Sequence, residues 1–333
     1  MKALFRADAT PALGAGHVMR CMALAGELRS RGTEIHFVVG AGSELAARLA
    51  AAKNFPCRRL PAEPSRDAGE TARIVAHERI DWVVVDHYSL DAAWEKEVRR
   101  AGASILVIED LSGREHDCDL LVNAGFGAEA TVRARALLGP EYALLAPEFR
   151  EARERDRERD GTVRRILVGY GGTDPSNETC KALEALAALG ASGLEVEVAV
   201  GAGFAHEDAL RAAAQRLPAA TLRRGLPHLA DLMQSCDLAL GAGGTSSWER
   251  LCLGLPALVS ATAANQARGA AALGAAGYFL YLGPAERVTS EAMTQALLRR
   301  IANPDALRRE SARGRALVDG AGAARVADAM AGA

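Results

Sequence analysis

Short apolar runs without polar alternation recur along this chain, and each is followed by a segment with helical periodicity. Ala3-Leu4-Phe5 and residues 35–39, 82–85, 104–108 and 120–122 mark the first half. Residues 165–168, 194–200, 238–240 and 257–259 mark the second. A strand that is apolar on both faces must be covered on both, which is the condition of a parallel sheet wrapped by helices. The pattern therefore predicts an α/β chain. It restarts after a mixed-charge stretch, residues 148–160, whose signs cancel and which has no apolar face. We read two doubly wound parallel-sheet domains, 1–148 and 163–333, joined by a charged linker at 149–162. A length of 333 residues suits two domains of about 150 each. Ligands of such sheets bind outside the C-terminal ends of the strands, so the expected site is a cleft between the domains.

Composition narrows the function classes. Hydrophobic residues at 49% and charged residues at 25% exclude a disordered or fibrous chain. Lys+Arg at 40 against Asp+Glu at 42 lacks the basic excess of a dedicated nucleic-acid binder. Charges interrupt the apolar start, and no run approaches the roughly 20 apolar residues that span a bilayer, so a cytoplasmic protein is expected. The six cysteines are scattered, none in a CxxC pair, which reads as buried thiols and not as a metal site.

The loops after the apolar runs carry the polar signals. In Gly14-Ala15-Gly16-His17-Val18-Met19-Arg20, Met stands where a dinucleotide fingerprint needs its third Gly. Gly16 still permits close backbone approach. His17 falls in the first turn of the next helix, as a general base or as a plain polar cap. Asp86-His87-Tyr88 directly follows residues 82–85. These side chains can line a cleft, and Asp86 can equally cap a helix starting near Leu90. His36 reads as structural, and His77, His116, His206 and His228 as surface or loop residues. In the second half, Gly171-Gly172-Thr173-Asp174 and Gly243-Gly244-Thr245-Ser246-Ser247 each stand between a strand and a helix, the first with Pro175 as a helix start. Glycines let backbone N–H groups approach a phosphate and hydroxyls add donors. Neither loop has the Lys of a P-loop. One such loop is ordinary turn chemistry; two in one domain are less so. Glu249 can accept both hydrogen bonds of a ribose diol, or merely complement a helix dipole. Asn265-Gln266 suits sugar hydroxyls or an acetamido group, with a helix cap at Asn265 as the plain alternative.

At these residues the chain resembles a known family. Gly14-x-Gly16-His17, Gly171-Gly172-Thr173-Asp174, the run from Gly241 through Gly243-Gly244-Thr245-Ser246-Ser247-Trp248-Glu249-Arg250, and Asn265-Gln266 look like the UDP-2,4-diacetamido-2,4,6-trideoxy-β-L-altropyranose hydrolases of pseudaminic acid biosynthesis. Arg6-Ala7-Asp8 and Asp86-His87-Tyr88 match the family style. The resemblance runs from about Lys2 to about Gly283. The wider fold family, which includes the peptidoglycan N-acetylglucosaminyltransferase, shares only the second-domain glycine loops and the Glu.

The resemblance implies a GT-B fold, two Rossmann-like domains facing across a cleft. It implies hydrolysis of the glycosidic C–O bond of a UDP-sugar without metal or cofactor, with His17 as base on the attacking water. Substrate contacts would fall to Gly16, Asp8, Tyr88, Gly171, Gly172, Thr173, Gly243, Gly244, Thr245, Ser246, Glu249, Asn265 and Gln266. Asp8 would either orient His17 or bind sugar. Leu229 resembles the loop residue that packs on uracil. The partner would be a small-molecule UDP-sugar in nonulosonic acid supply for flagellin glycosylation, with no nucleic acid or membrane, and a monomer is compatible. In this fold a C-terminal helix often returns to the first domain, here near residues 321–330. Two other functions fit the same residues: an inverting glycosyltransferase of this fold, and a nucleotide-sugar sensor without turnover. No basic amphipathic patch favours a lipid-linked acceptor.

Overall fold

The computed structural model describes residues 1–10, 14–61, 63–111, 113–130, 134–190, 193–201 and 203–332. The chain forms two compact units, Met1–Pro147 with Gly320–Ala333, and Glu148–Asp319.

The first unit holds a seven-stranded sheet of β1 (Lys2–Ala7), β2 (Glu34–Val39), β3 (Cys57–Arg59), β4 (Trp82–Asp86), β5 (Ser104–Ile108), β6 (Leu120–Asn123) and β7 (Arg135–Leu138). Every pairing is parallel, in the order β3-β2-β1-β4-β5-β6-β7. The helices α1 (Gly16–Ser30), α2 (Glu44–Ala52), α3 (Asp67–Glu78) and α4 (Ala92–Arg99) make the crossovers between the first five strands. The strand period of two sorts the core into two layers. Phe5, Val84 and Leu106 face α1, with the Phe5 and Phe37 rings stacked at 5.0 Å. Leu4, Val83 and Ile105 face Val75 of α3 and Trp94 of α4. Burial on both faces is why these strands read as unbroken apolar runs.

Parallel crossovers normally need a helix. The described residues between β5 and β6 contain none. A buried polar clamp holds that crossing instead. His116 Nδ1 meets Glu95 of α4 at 2.7 Å and Nε2 meets Glu109 at 3.0 Å, while Arg114 also donates to Glu109. His116 is a loop residue, one of the two expected placements, but only 2% of its side chain is exposed. Burial pulls its imidazolium down, but the bonds to Glu109 and Glu95 outweigh that and push it up to about 9.

The second unit opens with α5 (Pro147–Glu154). Its sheet comprises β8 (Arg165–Gly169), β9 (Glu195–Val200), β10 (Ala220–Arg224), β11 (Leu238–Ala242), β12 (Ala257–Ala261) and β13 (Leu280–Pro284), parallel throughout in the order β10-β9-β8-β11-β12-β13. The helices are α6 (Glu178–Ala188), α7 (Glu207–Gln215), α8 (Ala230–Ser235), α9 (Ser246–Cys252), α10 (Ala264–Ala275), α11 (Ser290–Ile301) and α12 (Pro304–Leu317). Helix α6 starts at Glu178, not at Pro175, because Asp174 caps it from further back. The last helix, α13 (Gly322–Ala331), belongs to the first unit. There Val326, Ala327 and Met330 join the core layer of α1.

The charged segment 149–162 is not a solvated linker along its length. Phe149 and Ala152 of α5 are buried. Arg153 donates to the carbonyls of Cys252 and Arg315, and Arg157 to those of Gln234 and Cys236. Arg159, 7% exposed, donates to the carbonyls of Met233, Cys236 and Leu253. These carbonyls end α8, α9 and α12, where a helix leaves acceptors unsatisfied. The segment thus has an anchoring face that hydrophobicity cannot reveal.

In each sheet the strand order reverses beside the first strand, between β1 and β4 and between β8 and β11. Such switch points are where doubly wound sheets leave a crevice for a ligand.

Candidate functional site

The first unit gathers its polar groups at the β1/β4 switch point. His17 is the second residue of α1 and 6% exposed; Asp86 ends β4 and is 1% exposed. His17 Nδ1 lies 2.5 Å from Asp86 Oδ1. Arg20, one turn along α1, donates to the same carboxylate through Nε at 2.5 Å and Nη2 at 2.7 Å, and through Nη1 to Asp110 at 2.8 Å. Burial pushes the Asp86 carboxyl up, but Arg20 and His17 outweigh it and hold it at about 2. An ionised Asp86 requires the proton on His17 Nδ1 and leaves Nε2 as the accepting nitrogen. That atom has no hydrogen-bond partner among the described residues. The Tyr88 ring stands edge-on to His17 at 4.5 Å, and its hydroxyl donates to Asp110 at 2.9 Å. Asp86 is therefore no cap for α4; Asp91 does that, accepting from the Ala93 and Trp94 N–H groups.

Asp8 does not orient His17. It accepts from Gly40 N at 2.7 Å, from the Ser43 hydroxyl at 2.8 Å and from Arg6 at 2.9 Å, tying the ends of β1 and β2 together. His87 Nε2 also meets it, at 3.2 Å. Burial alone would raise Asp8, yet His87 and Arg6 hold it far below the usual carboxylate range. The Ser89 N–H donates to His87 Nδ1 at 3.1 Å, so the His87 proton sits on Nε2 and both nitrogens are engaged. Of the two His–Asp pairs at this switch point, only His17 keeps an accepting nitrogen.

The second unit places both glycine loops on the adjacent strands β8 and β11. Gly171, at φ +96°, and Gly172 are exposed, and a Cβ on either would meet nothing within 4 Å. Gly201, after β9, comes so close that a Cβ there would lie 2.4 Å from the Gly172 carbonyl oxygen. Thr173 is half-buried beside them, while Asp174 is occupied in capping the N–H groups of Glu178 and Thr179. In the second loop Gly243 donates to the Ser260 carbonyl, and Ser247 N is bonded back to Gly244. The N–H groups of Gly244, Thr245 and Ser246 precede that ladder and have no intrahelical acceptor. Gln266 packs against this loop: a Cβ on Gly244 would lie 3.2 Å from its Nε2. Its Oε1 accepts from Thr262 N at 3.0 Å, which fixes the amide as a brace with Nε2 turned to the loop. Asn265 is the second residue of α10, whose cap position is Ala263. Leu229 occupies the cap position of α8, half-buried. Glu249 stays partly exposed, yet burial pushes its carboxyl up to about 7, opposed only in part by Arg250.

The sequence reading gave no role to Arg20, Asp110 or Arg250. Arg20 had a signal: at i+3 from His17 it shares a helix face with it. Asp110 and the pairing of Asp86 with His17 had none, since only the sheet order brings β4 beside β1.

Two Rossmann-like units with their polar loops at the switch points define the GT-B class of fold. Solved structures agree. MurG of Acinetobacter baumannii matches with a TM-score of 0.72 at 15% identity, covering 100% of this chain and 99% of that one. Spinosyn rhamnosyltransferase SpnG matches at 0.64 and 17% identity, covering 99% and 100%. The Streptomyces sp. SF2575 glycosyltransferase SsfS6, solved with thymidine diphosphate, matches at 0.65 and 16%, covering 99% of each. At these identities the likeness is one of fold.

No protein-family model matches the chain. By sequence it is a distant homologue of the UDP-2,4-diacetamido-2,4,6-trideoxy-β-L-altropyranose hydrolase of Campylobacter jejuni, 27% identical over 185 residues, 53% of this chain and 62% of that protein. It is similar to the spore coat polysaccharide biosynthesis protein SpsG of Bacillus subtilis, 28% identical over 76% of this chain and 77% of that one. It is also 26% identical to an uncharacterized protein of Methanocaldococcus jannaschii over 78% of this chain, a match spanning 55% of that protein. Two of the three relatives are thus matched over less than two thirds of their own length.

Proposed function

We propose that the protein is an enzyme that hydrolyses a UDP-linked 2,4-diacetamido-2,4,6-trideoxyhexose to UDP and free sugar, in the supply of pseudaminic acid or a related nonulosonic acid. The observation that carries this reading is His17, pinned through Nδ1 by Asp86 with Nε2 left to accept a proton. In the proposed step, Nε2 takes a proton from water as the water oxygen bonds to the anomeric carbon. The bond from that carbon to the phosphate oxygen breaks, and its electron pair leaves with UDP. Asp86 steadies the imidazolium that forms, and Arg20 keeps Asp86 ionised. The glycine loops of the second unit would hold the diphosphate through backbone N–H groups, and Glu249 the ribose diol. The distant hydrolase homologue supports the same reading.

The test is turnover of the UDP-sugar by the purified protein in ¹⁸O-water with EDTA present. Label in the sugar hydroxyl and none in UDP is the expected result, at a rate that added acceptors do not change. Because the structural neighbours are glycosyltransferases, a transferase is the second reading. Release of UDP that needs an acceptor alcohol would establish it. UDP binding with no turnover under either condition would mean a sensor.

A further inference from the structure

Arg250 is 3% exposed in α9, one residue past Glu249. Its guanidinium lies where both glycine loops begin. A Cβ on Gly241 of β11 would be 2.7 Å from Arg250 Nη1 and 2.7 Å from the carbonyl oxygen of Gly169, the last residue of β8. It donates through Nη2 to the Ala242 carbonyl at 2.7 Å and to the Ser247 hydroxyl at 3.1 Å, and through Nη1 to the Ser246 hydroxyl at 3.1 Å. Nε is buried with no hydrogen-bond partner. No carboxylate among the described residues hydrogen-bonds to this guanidinium; its chain neighbour Glu249 attracts it through space, but burial has pulled the guanidinium down to about 10 and pushed that carboxyl up to about 7.

A buried cation with no hydrogen-bonded anion is costly unless something compensates it. The other deeply buried arginine of this unit shows how compensation looks. Arg159 takes the carbonyls that end two helices, where the negative ends of their dipoles lie. Arg250 has one carbonyl and two hydroxyls.

We propose that the missing counter-ion is the ligand: Arg250 is a positioning residue that braces the Gly243-Gly244-Thr245 loop and supplies, from beneath it, the positive charge that selects a diphosphate over a neutral nucleoside. The proposal rests on the nucleotide-sugar reading above. It requires no contact between the guanidinium and the phosphates, because a charge a few ångströms away in a low-dielectric floor acts through space. It also accounts for loops that carry no lysine yet are built to receive an anion.

The experiment compares UDP, inorganic pyrophosphate and uridine binding to the full chain and to Arg250→Met and Arg250→Lys, by calorimetry. Arg250→Met is expected to weaken UDP and pyrophosphate by about 10–100-fold and uridine by less than about 2-fold, with Arg250→Lys between the two. Equal loss for UDP and uridine, or no loss, overturns the proposal. Should Arg250→Met not fold, the Nε–H resonance of Arg250 in the unmodified protein decides. It should move on addition of pyrophosphate and not of uridine, and an unmoved signal overturns the proposal. Failure of the unmodified protein to bind UDP at all overturns the reading on which it rests, and the proposal with it.

Discussion

The two switch points occupy the same place in two similar sheets, yet they are built from opposite materials. At β1/β4 the crevice is lined by side chains that fix one another: His17, Asp86, Arg20, Asp110 and Tyr88 form a web of hydrogen bonds, with a separate Asp8–His87 pair beside it. At β8/β11 it is lined largely by glycines and bare backbone, with the Arg250 guanidinium buried beneath. Proton transfer needs a particular nitrogen in a particular tautomer, which only an over-determined side chain provides. Gripping an anion needs many weak donors at short range, which a side chain would obstruct. The topology offers the position, and the local sequence decides which task it serves.

That contrast predicts that lesions in the first unit lower kcat while lesions in the second weaken binding. The largest effect should come from His17→Leu, with turnover falling by about 10²–10⁴-fold while calorimetry finds UDP affinity unchanged. A matched loss of UDP affinity would break the division of labour. Next, Glu249→Ala should weaken UDP by about 10–100-fold and leave kcat almost intact. A carboxyl pushed up to about 7 must ionise to accept two hydroxyls, so UDP binding should release protons at pH 6 and release none at pH 8.5. Calorimetry in buffers of different ionisation enthalpy reads this directly, and equal release at both pH values would remove Glu249 from the diol. Gly201→Ala should destabilise the protein by about 1–3 kcal/mol in urea, because its Cβ would collide with the Gly172 carbonyl. UDP binding should fall with it while chemistry on bound substrate is spared.

The two smallest effects probe the side-chain web itself. The His116 clamp has a folded-state value of about 9 against 6.5 for the free side chain. Its contribution is therefore complete below about pH 6.5 and lost as pH rises through 9. Unfolding by urea should show the protein weaker by about 1–2 kcal/mol at pH 9.5 than at pH 6 after allowing for solvent screening. His116→Gln should flatten that slope, and a slope unchanged by the substitution would discount the clamp. Last, His87→Gln should alter kcat by less than about 3-fold, since both ring nitrogens are already engaged and neither can shuttle a proton. A loss as deep as that of His17→Leu would mean that the base had been assigned to the wrong histidine.

The central strands were legible because burial on both faces leaves no polar alternation. β3 (Cys-Arg-Arg) and β10 (Ala-Thr-Leu-Arg-Arg) were not, being edge strands with exposed arginines that read like loop. β7, at the opposite edge of the first sheet, starts with two exposed residues. Of the candidate site, Tyr88 and the glycine loops could be found because each lies three residues past an apolar run, and His17 because it follows Gly14-x-Gly16 at the start of a helix. The wiring could not. Asp86 rather than Asp8 holds His17 because β4 and not β2 extends the sheet on that side of β1, a fact of strand order that no local pattern encodes. The burial of Arg159 and Arg250 was hidden for the opposite reason: arginine in a charged or polar stretch reads as surface, and their carbonyl and hydroxyl partners leave no trace in composition.

The first unit is not a continuous piece of chain. Its core layer on α1 is completed by Val326, Ala327 and Met330, and Gly322 sits so tightly on the backbone of Tyr142 and Ala143 that no larger residue fits. A ribosome delivers these groups only after the whole of the second unit. The amino-terminal part of the first unit therefore keeps part of its apolar face uncovered until residues 322–331 follow. Cutting the chain before Gly322 would remove no residue of either switch point and would still leave the core of the first unit unfinished.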